Sequence, residues 1–143
     1  MVEEFRFRNI KKSQRNREIE GVIGTELGLP DGVKLQVLCM SDANSRWVEF
    51  GDDYTAEVNR LTRAGASPKR QKQLFDEWLP RLFVIGWRDI PGENDEDVPF
   101  SLDACQSYFR QSDDAYLAVL ELVRDTKNFR GARAQAVRES VGN

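Results

Sequence analysis

Five carboxylates fall within the stretch Asp89-Ile90-Pro91-Gly92-Glu93-Asn94-Asp95-Glu96-Asp97. Two chemistries could use them: calcium binding through alternating oxygen ligands, and acid–base catalysis by a carboxylate pair. The spacing fits neither. Counted from Asp89, the sixth position is Asn94 where an EF-hand loop needs Gly, and the twelfth is Phe100 where it needs Glu. A solvated turn also lacks the burial and fixed separation that drive two carboxyl pKa values apart. The stretch reads as an acidic turn rather than a site.

Other chemistry is excluded by what the chain lacks. Its 143 residues include no His, so Ser-His-Asp and Cys-His catalysis and His-ligated zinc are impossible. Cys39 and Cys105 are too few for a zinc cluster and too far apart for a redox CxxC, and read as buried, reduced thiols. There is no GxGxxG, P-loop or nucleophile elbow. No cofactor is called for and an enzyme is not expected.

Binding is the remaining class. Basic residues gather at Lys11, Lys12, Arg15 and Arg17, and again from Arg124 to the end, where five of them face only Asp125 and Glu139. Neither run interleaves aromatics as a single-strand platform would, and the whole chain is net −3, so nucleic acid is not the expected partner. Trp47, Trp78 and Trp87 sit on apolar stripes or their ends, which is where core aromatics sit. The stretch from Leu74 to Trp87 is apolar on more than one side, however, and could leave a groove for a partner helix.

These residues are positioned by a chain of one domain's length. Phe5-Arg6-Phe7-Arg8 and Val33 to Val37 alternate as short strands, with a turn at Gly28, Pro30 and Gly32. Between them Lys11 to Glu20 reads as a mobile arm or solvated turn with only Ile19 to bury. From Ser41 the period becomes helical: Trp47, Phe50, Tyr54, Val58 and Leu61 define a first helix, capped by Asp42 or Asn44 and ended near Gly65. A second begins at Ser67-Pro68 and carries Leu74, Phe75, Trp78, Leu79, Leu82, Phe83 and Ile85, with Pro80 expected to kink or split it. Ser101 caps a third with Leu102, Cys105, Tyr108 and Phe109 inward. Ser112-Asp113-Asp114 caps a fourth with Leu117, Leu120 and Val123 as its stripe. The expected fold is mainly α, a small helical bundle with a short N-terminal β element. Residues 1–40 hold that element and the basic arm, 41–128 the helical core, and 129–143 a weakly ordered basic tail. No apolar run reaches membrane-spanning length and the start is too charged for a signal peptide.

From about Ser41 to the end the chain resembles the tail assembly chaperones of long-tailed bacteriophages. The resemblance rests on the first helix, on Leu74-Phe75-Asp76-Glu77-Trp78, and on Phe83-Val84-Ile85-Gly86-Trp87-Arg88-Asp89-Ile90. It continues through the acidic turn into Val98-Pro99-Phe100-Ser101 and the Leu102 to Phe109 helix, with Asn128-Phe129-Arg130 and the terminal Gly142-Asn143 also alike. Two departures stand out. The family's turn carries Asp-x-Asp-Gly whereas this one has no Gly after its acids, so a looser loop is expected. The first 40 residues are longer than the family's and match poorly.

The resemblance implies a non-catalytic protein of the host cytoplasm. It would bind the phage tape-measure protein, keep it soluble, help recruit tail-tube protein, self-associate in some cases, and be absent from the mature virion. A head-tail joining or minor tail protein retained in the virion is the alternative. Trp78, Phe83, Trp87 and Phe100 are the candidate partner-binding residues, provided part of this apolar set is exposed.

Overall fold

The computed structural model describes residues 14–129. The strand expected at Phe5 to Arg8 and the basic tail past Phe129 lie outside them. The described chain is mainly helical with a small three-stranded antiparallel sheet, an α+β arrangement.

Residues 14–18 are helical and run into a π-helical turn, Ile19–Ile23. This part of the expected mobile arm is docked. Glu20 is buried, its carbonyl accepts from the Cys39 amide at 2.7 Å, and Gly21 lies so close to Ala43 that a Cβ would overlap the Ala43 carbonyl. Absence of a side chain at Gly21 is what permits the approach.

Strand β1 (Thr25–Gly28) then pairs with β2 (Lys34–Val37), Thr25 opposite Val37 and Gly28 opposite Lys34. The turn between them places Gly32 at φ 91° and closes with the Leu29 amide on the Val33 carbonyl. The expected strand ending at Val37 is present, but its first partner is 25–28, a stretch too short and mixed to show a period.

Helix α1 (Ser45–Arg63) is capped by Asn44 rather than Asp42, and Gly65 takes φ 66° just beyond its end. Helix α2 (Pro68–Phe83) starts at the Ser67 cap with Pro68 in its first turn. Pro80 neither kinks the chain out of the helix nor splits it. Its missing N–H falls at the Asp76 carbonyl, in the last turn, so little of the ladder is lost.

The larger correction lies at the end of α2. Ile85 and Trp87 do not extend the helical stripe: the chain leaves the helix at Phe83 and becomes strand β3 (Val84–Arg88), pairing with the free side of β2. The β-branched pair Val84-Ile85 suits a strand, and β3 completes a sheet over the fully buried Leu35 and Val37. The β element therefore joins the N-terminal region to residue 88 and does not belong to residues 1–40 alone.

Helix α3 (Leu102–Gln111) is capped by Ser101. Helix α4 (Ala115–Val123) follows Asp114 at its N-cap position, whose side chain makes no cap hydrogen bond; the Ser112 hydroxyl just before it accepts from the Asp114 and Ala115 amides. α2 packs against α1, α3 and α4 and is the centre of the core, which includes Leu79, Leu82, Phe83, Phe109, Val119 and Val123. Three positions differ from expectation. Leu102 is 43% and Leu117 53% exposed, Ala115 and Val119 filling the place given to Leu117, while Phe129, assigned to the weakly ordered tail, is fully buried. Cys39 and Cys105 are buried and unbridged, with burial pushing their thiols up to about 11 and about 12.

The last turn of α2 is held from outside. A helix end leaves its final carbonyls without helical partners; here the first of the last four keeps the helix's own bond and the other three find donors from elsewhere in the chain. Pro80 O accepts from the Val84 amide, Arg81 O from Arg46, Leu82 O from Asn44 Nδ2, and Phe83 O from the Leu38 amide at 2.7 Å. The start of α1 and the exit of β2 thus clamp the point where helix becomes strand.

Candidate partner-binding groove

That clamp shapes the surface beside it. Arg46 reaches across from α1, one guanidinium nitrogen donating to the carbonyls of Arg81 at 3.4 Å and Val84 at 3.1 Å. Arg81, in the last turn of α2, lays its guanidinium over Trp78 at 4.5 Å from the ring centroid and over Phe50 at 5.8 Å. Stacked on two aromatic faces, it keeps its charge at the surface.

Between these arginines lies an open groove of about 260 Å³, lined by Phe50, Pro80, Val84, Phe100 and Leu102 with Arg46 and Arg81. The walls come from α1, the α2–β3 junction and the start of α3. The volume lies below the ~300–1,000 Å³ typical of small-molecule pockets. An open, side-chain-lined depression of this size suits anchoring residues of another protein.

The far wall is braced by an aromatic cluster. Phe100 stands edge-on to Trp87, centroids 5.3 Å apart, and Trp87 in turn meets Tyr108 at 6.1 Å. The Trp87 indole N–H donates to the Val98 carbonyl at 2.9 Å, and the Tyr108 hydroxyl donates to Asp31 at 2.6 Å. Burial, then that contact with Asp31, raises the Tyr108 pKa, so the phenol stays neutral.

Behind Trp87 the acidic turn is tight, contrary to the looser loop expected. The Gly92 amide donates to the Glu96 carbonyl at 2.7 Å, the Val98 amide to Ile90 at 3.0 Å, and Pro91 bridges to Asp97. Asp95 takes φ 61°, the left-handed conformation that Gly would otherwise supply and that Asp tolerates better than most residues. Among the described residues no three Asp, Glu, His or Cys side chains converge as a metal-binding group.

The four candidate residues therefore divide. Phe100 lines the groove, half-buried Trp78 carries Arg81 on its ring, and half-buried Trp87 backs Phe100. Phe83 is fully buried against Trp47 and is a core residue, unavailable to a partner. The groove also uses Arg46, Phe50, Arg81 and Leu102, which the sequence reading did not select for binding. Leu102 carried no such signal: spaced i, i+3, i+7 with Cys105 and Phe109 it shares their helix face, and it is 43% exposed at the first position of the helix.

Fold and groove define a mainly helical α+β domain with a basic-rimmed apolar depression where its central helix turns into a strand. Compared with protein-family models, curated proteins and solved structures, the chain finds no match. Among the described residues no helix is long and apolar enough to cross a membrane.

Proposed function

We propose that this chain is a phage tail assembly chaperone that binds the tape-measure protein, keeps it soluble and helps recruit tail-tube subunits in the host cytoplasm. The observation that carries this reading is the open apolar groove at Phe50, Pro80, Val84, Phe100 and Leu102. It joins the order of motifs from Leu74 to Phe109 that resembles the family. A tape-measure protein is a long helical chain with apolar faces, and a domain that covers such a face by helix-in-groove contact delays its aggregation. Many modest contacts along one chain give avidity while each stays reversible, so release needs no chemistry.

Co-expression with the tape-measure protein of the same phage tests this. The expected result is a soluble tape-measure protein that co-elutes with this chain on size exclusion, and purified particles that lack the chain. If the tape-measure protein precipitates regardless while the chain is found in particles at fixed stoichiometry, the chaperone reading falls. The chain is then a head-tail joining or minor tail protein.

A further inference from the structure

We propose that the groove selects acidic amphipathic helices: segments that place apolar side chains between Phe50 and Leu102 and a carboxylate against Arg46 and Arg81. The inference deepens the chaperone reading by naming the chemistry of the segment recognised, and rests on that reading for the partner's identity.

Charge carries the first half of the argument. Neither Arg46 nor Arg81 has a carboxylate at ion-pair distance among the described residues. Arg46 is tied to two carbonyls and Arg81 is stacked on two rings. Both charges are thus pre-placed on one apolar groove, and little side-chain freedom remains to be lost when an anion arrives. A carboxylate supplied from outside gains charge-assisted hydrogen bonds from them.

Backbone accounting carries the second half. The α2–β3 carbonyls at the groove wall are already taken, Pro80 O by the Val84 amide and those of Arg81 and Val84 by Arg46. An extended peptide would gain nothing from these three carbonyls, whereas a helix brings its hydrogen bonds with it. The apolar lining also sets an amphipathic helix above nucleic acid, whose phosphates would use the arginines and leave Leu102 and Val84 without a role.

The test uses the full chain and two fluorescent helical peptides with identical apolar residues at i, i+3, i+4 and i+7. One carries Glu and the other Lys at the flanking positions. Anisotropy titration is expected to show the Glu peptide binding at least tenfold tighter. Arg81→Glu should reverse that preference, and Leu102→Asp should abolish binding of both, each variant keeping the wild-type circular dichroism spectrum. Equal binding of the two peptides, no binding of either, or competition by a single-stranded oligonucleotide at equal concentration overturns the inference. The same variants tested on the tape-measure protein separate the two claims. Retention of that protein by wild type and Arg81→Glu alike sinks the groove assignment and leaves the chaperone reading standing. Selective Glu-peptide binding without any tape-measure binding does the reverse.

Discussion

The side-chain amide of Asn44 donates to the carbonyl of Leu82, 38 residues further along the chain, at 3.0 Å. The same Nδ2 donates to Cys39 O at 3.0 Å, while Oδ1 accepts from the amides of Arg46 and Trp47. A fully buried Asn thus uses both donors and its acceptor to join the exit of β2, the start of α1 and the end of α2. Asn44→Ala loses the cap and leaves two buried carbonyls short of a donor, for an expected loss of about 2 to 4 kcal/mol in urea unfolding. Asn44→Asp keeps the cap acceptor but aims a carboxylate at two carbonyls. Its folded-state pKa is therefore raised, and the variant should be most stable in acid and weaken as pH rises.

Asp76 gives the native protein a pH dependence of the same sign. It is buried in α2, with Oδ2 on Lys72 at 2.6 Å and Oδ1 without a partner. Burial raises its pKa, and the hydrogen bond and charge of Lys72 only partly offset this. Because the folded state holds the proton more tightly than the unfolded chain, this site's contribution is full below the usual carboxylate pKa of about 4 and declines as pH rises through the raised value. Unfolding curves of wild type and Asp76→Asn should diverge progressively across that window, the variant gaining relative stability. Parallel curves would mean that Asp76 titrates as it does in the unfolded chain.

Phe83 and Phe100 were equal candidates by sequence and should separate by experiment. Phe83→Ala empties a fully buried site beside Trp47 and should cost about 3 to 5 kcal/mol. Phe100→Ala removes a half-buried ring from the groove wall, should cost under about 1.5 kcal/mol, and should weaken partner binding at unchanged fold. Thermal unfolding beside the peptide titration reads both.

Gly51 lies buried inside α1, where Ala would ordinarily gain up to ~1 kcal/mol in helix propensity. A Cβ there would meet the Trp47 ring at 2.9 Å, and that ring is held between Tyr54 and Phe83. Packing should win, with Gly51→Ala destabilising by about 1 to 2 kcal/mol. Gly21→Ala, which drives a Cβ into the Ala43 backbone, should cost more.

Asp95 at φ 61° offers a backbone test. Asp95→Gly should stay within about 0.5 kcal/mol of wild type, the relief of the left-handed conformation offsetting the added freedom of the unfolded chain. Asp95→Val should lose about 1 to 2 kcal/mol, since a β-branched residue is costly there. Chemical denaturation of the pair decides it.

Local signals were legible wherever a short run of residues settles the outcome. Ser67-Pro68 and Ser101 start helices because a hydroxyl and a proline satisfy a first turn without outside help. Gly65 ends one because it accepts a positive φ. The mainly helical character with a small sheet follows from the same patterns. The groove was half legible: Phe100, Trp78 and Trp87 stood out as aromatics near a broad apolar stretch, but exposure depends on what packs against each ring.

What the sequence determined by itself was the absence of His chemistry, the helix starts, the end of α1 at Gly65, and the turn positions, since each rests on one residue type or on neighbours within a few positions. Tertiary structure alone decided that Val84 to Arg88 is a strand. A short apolar run suits helix and strand alike, and only the open side of β2 and its buried Leu35 and Val37 select between them. It also decided that Glu20 and Phe129 are buried, that Leu102 and Leu117 face out, and that Arg46 and Arg81 share one groove. Arg46 and Arg81 are 35 residues apart, and their meeting depends on how α1 crosses the end of α2. No periodicity along one segment encodes where it crosses another.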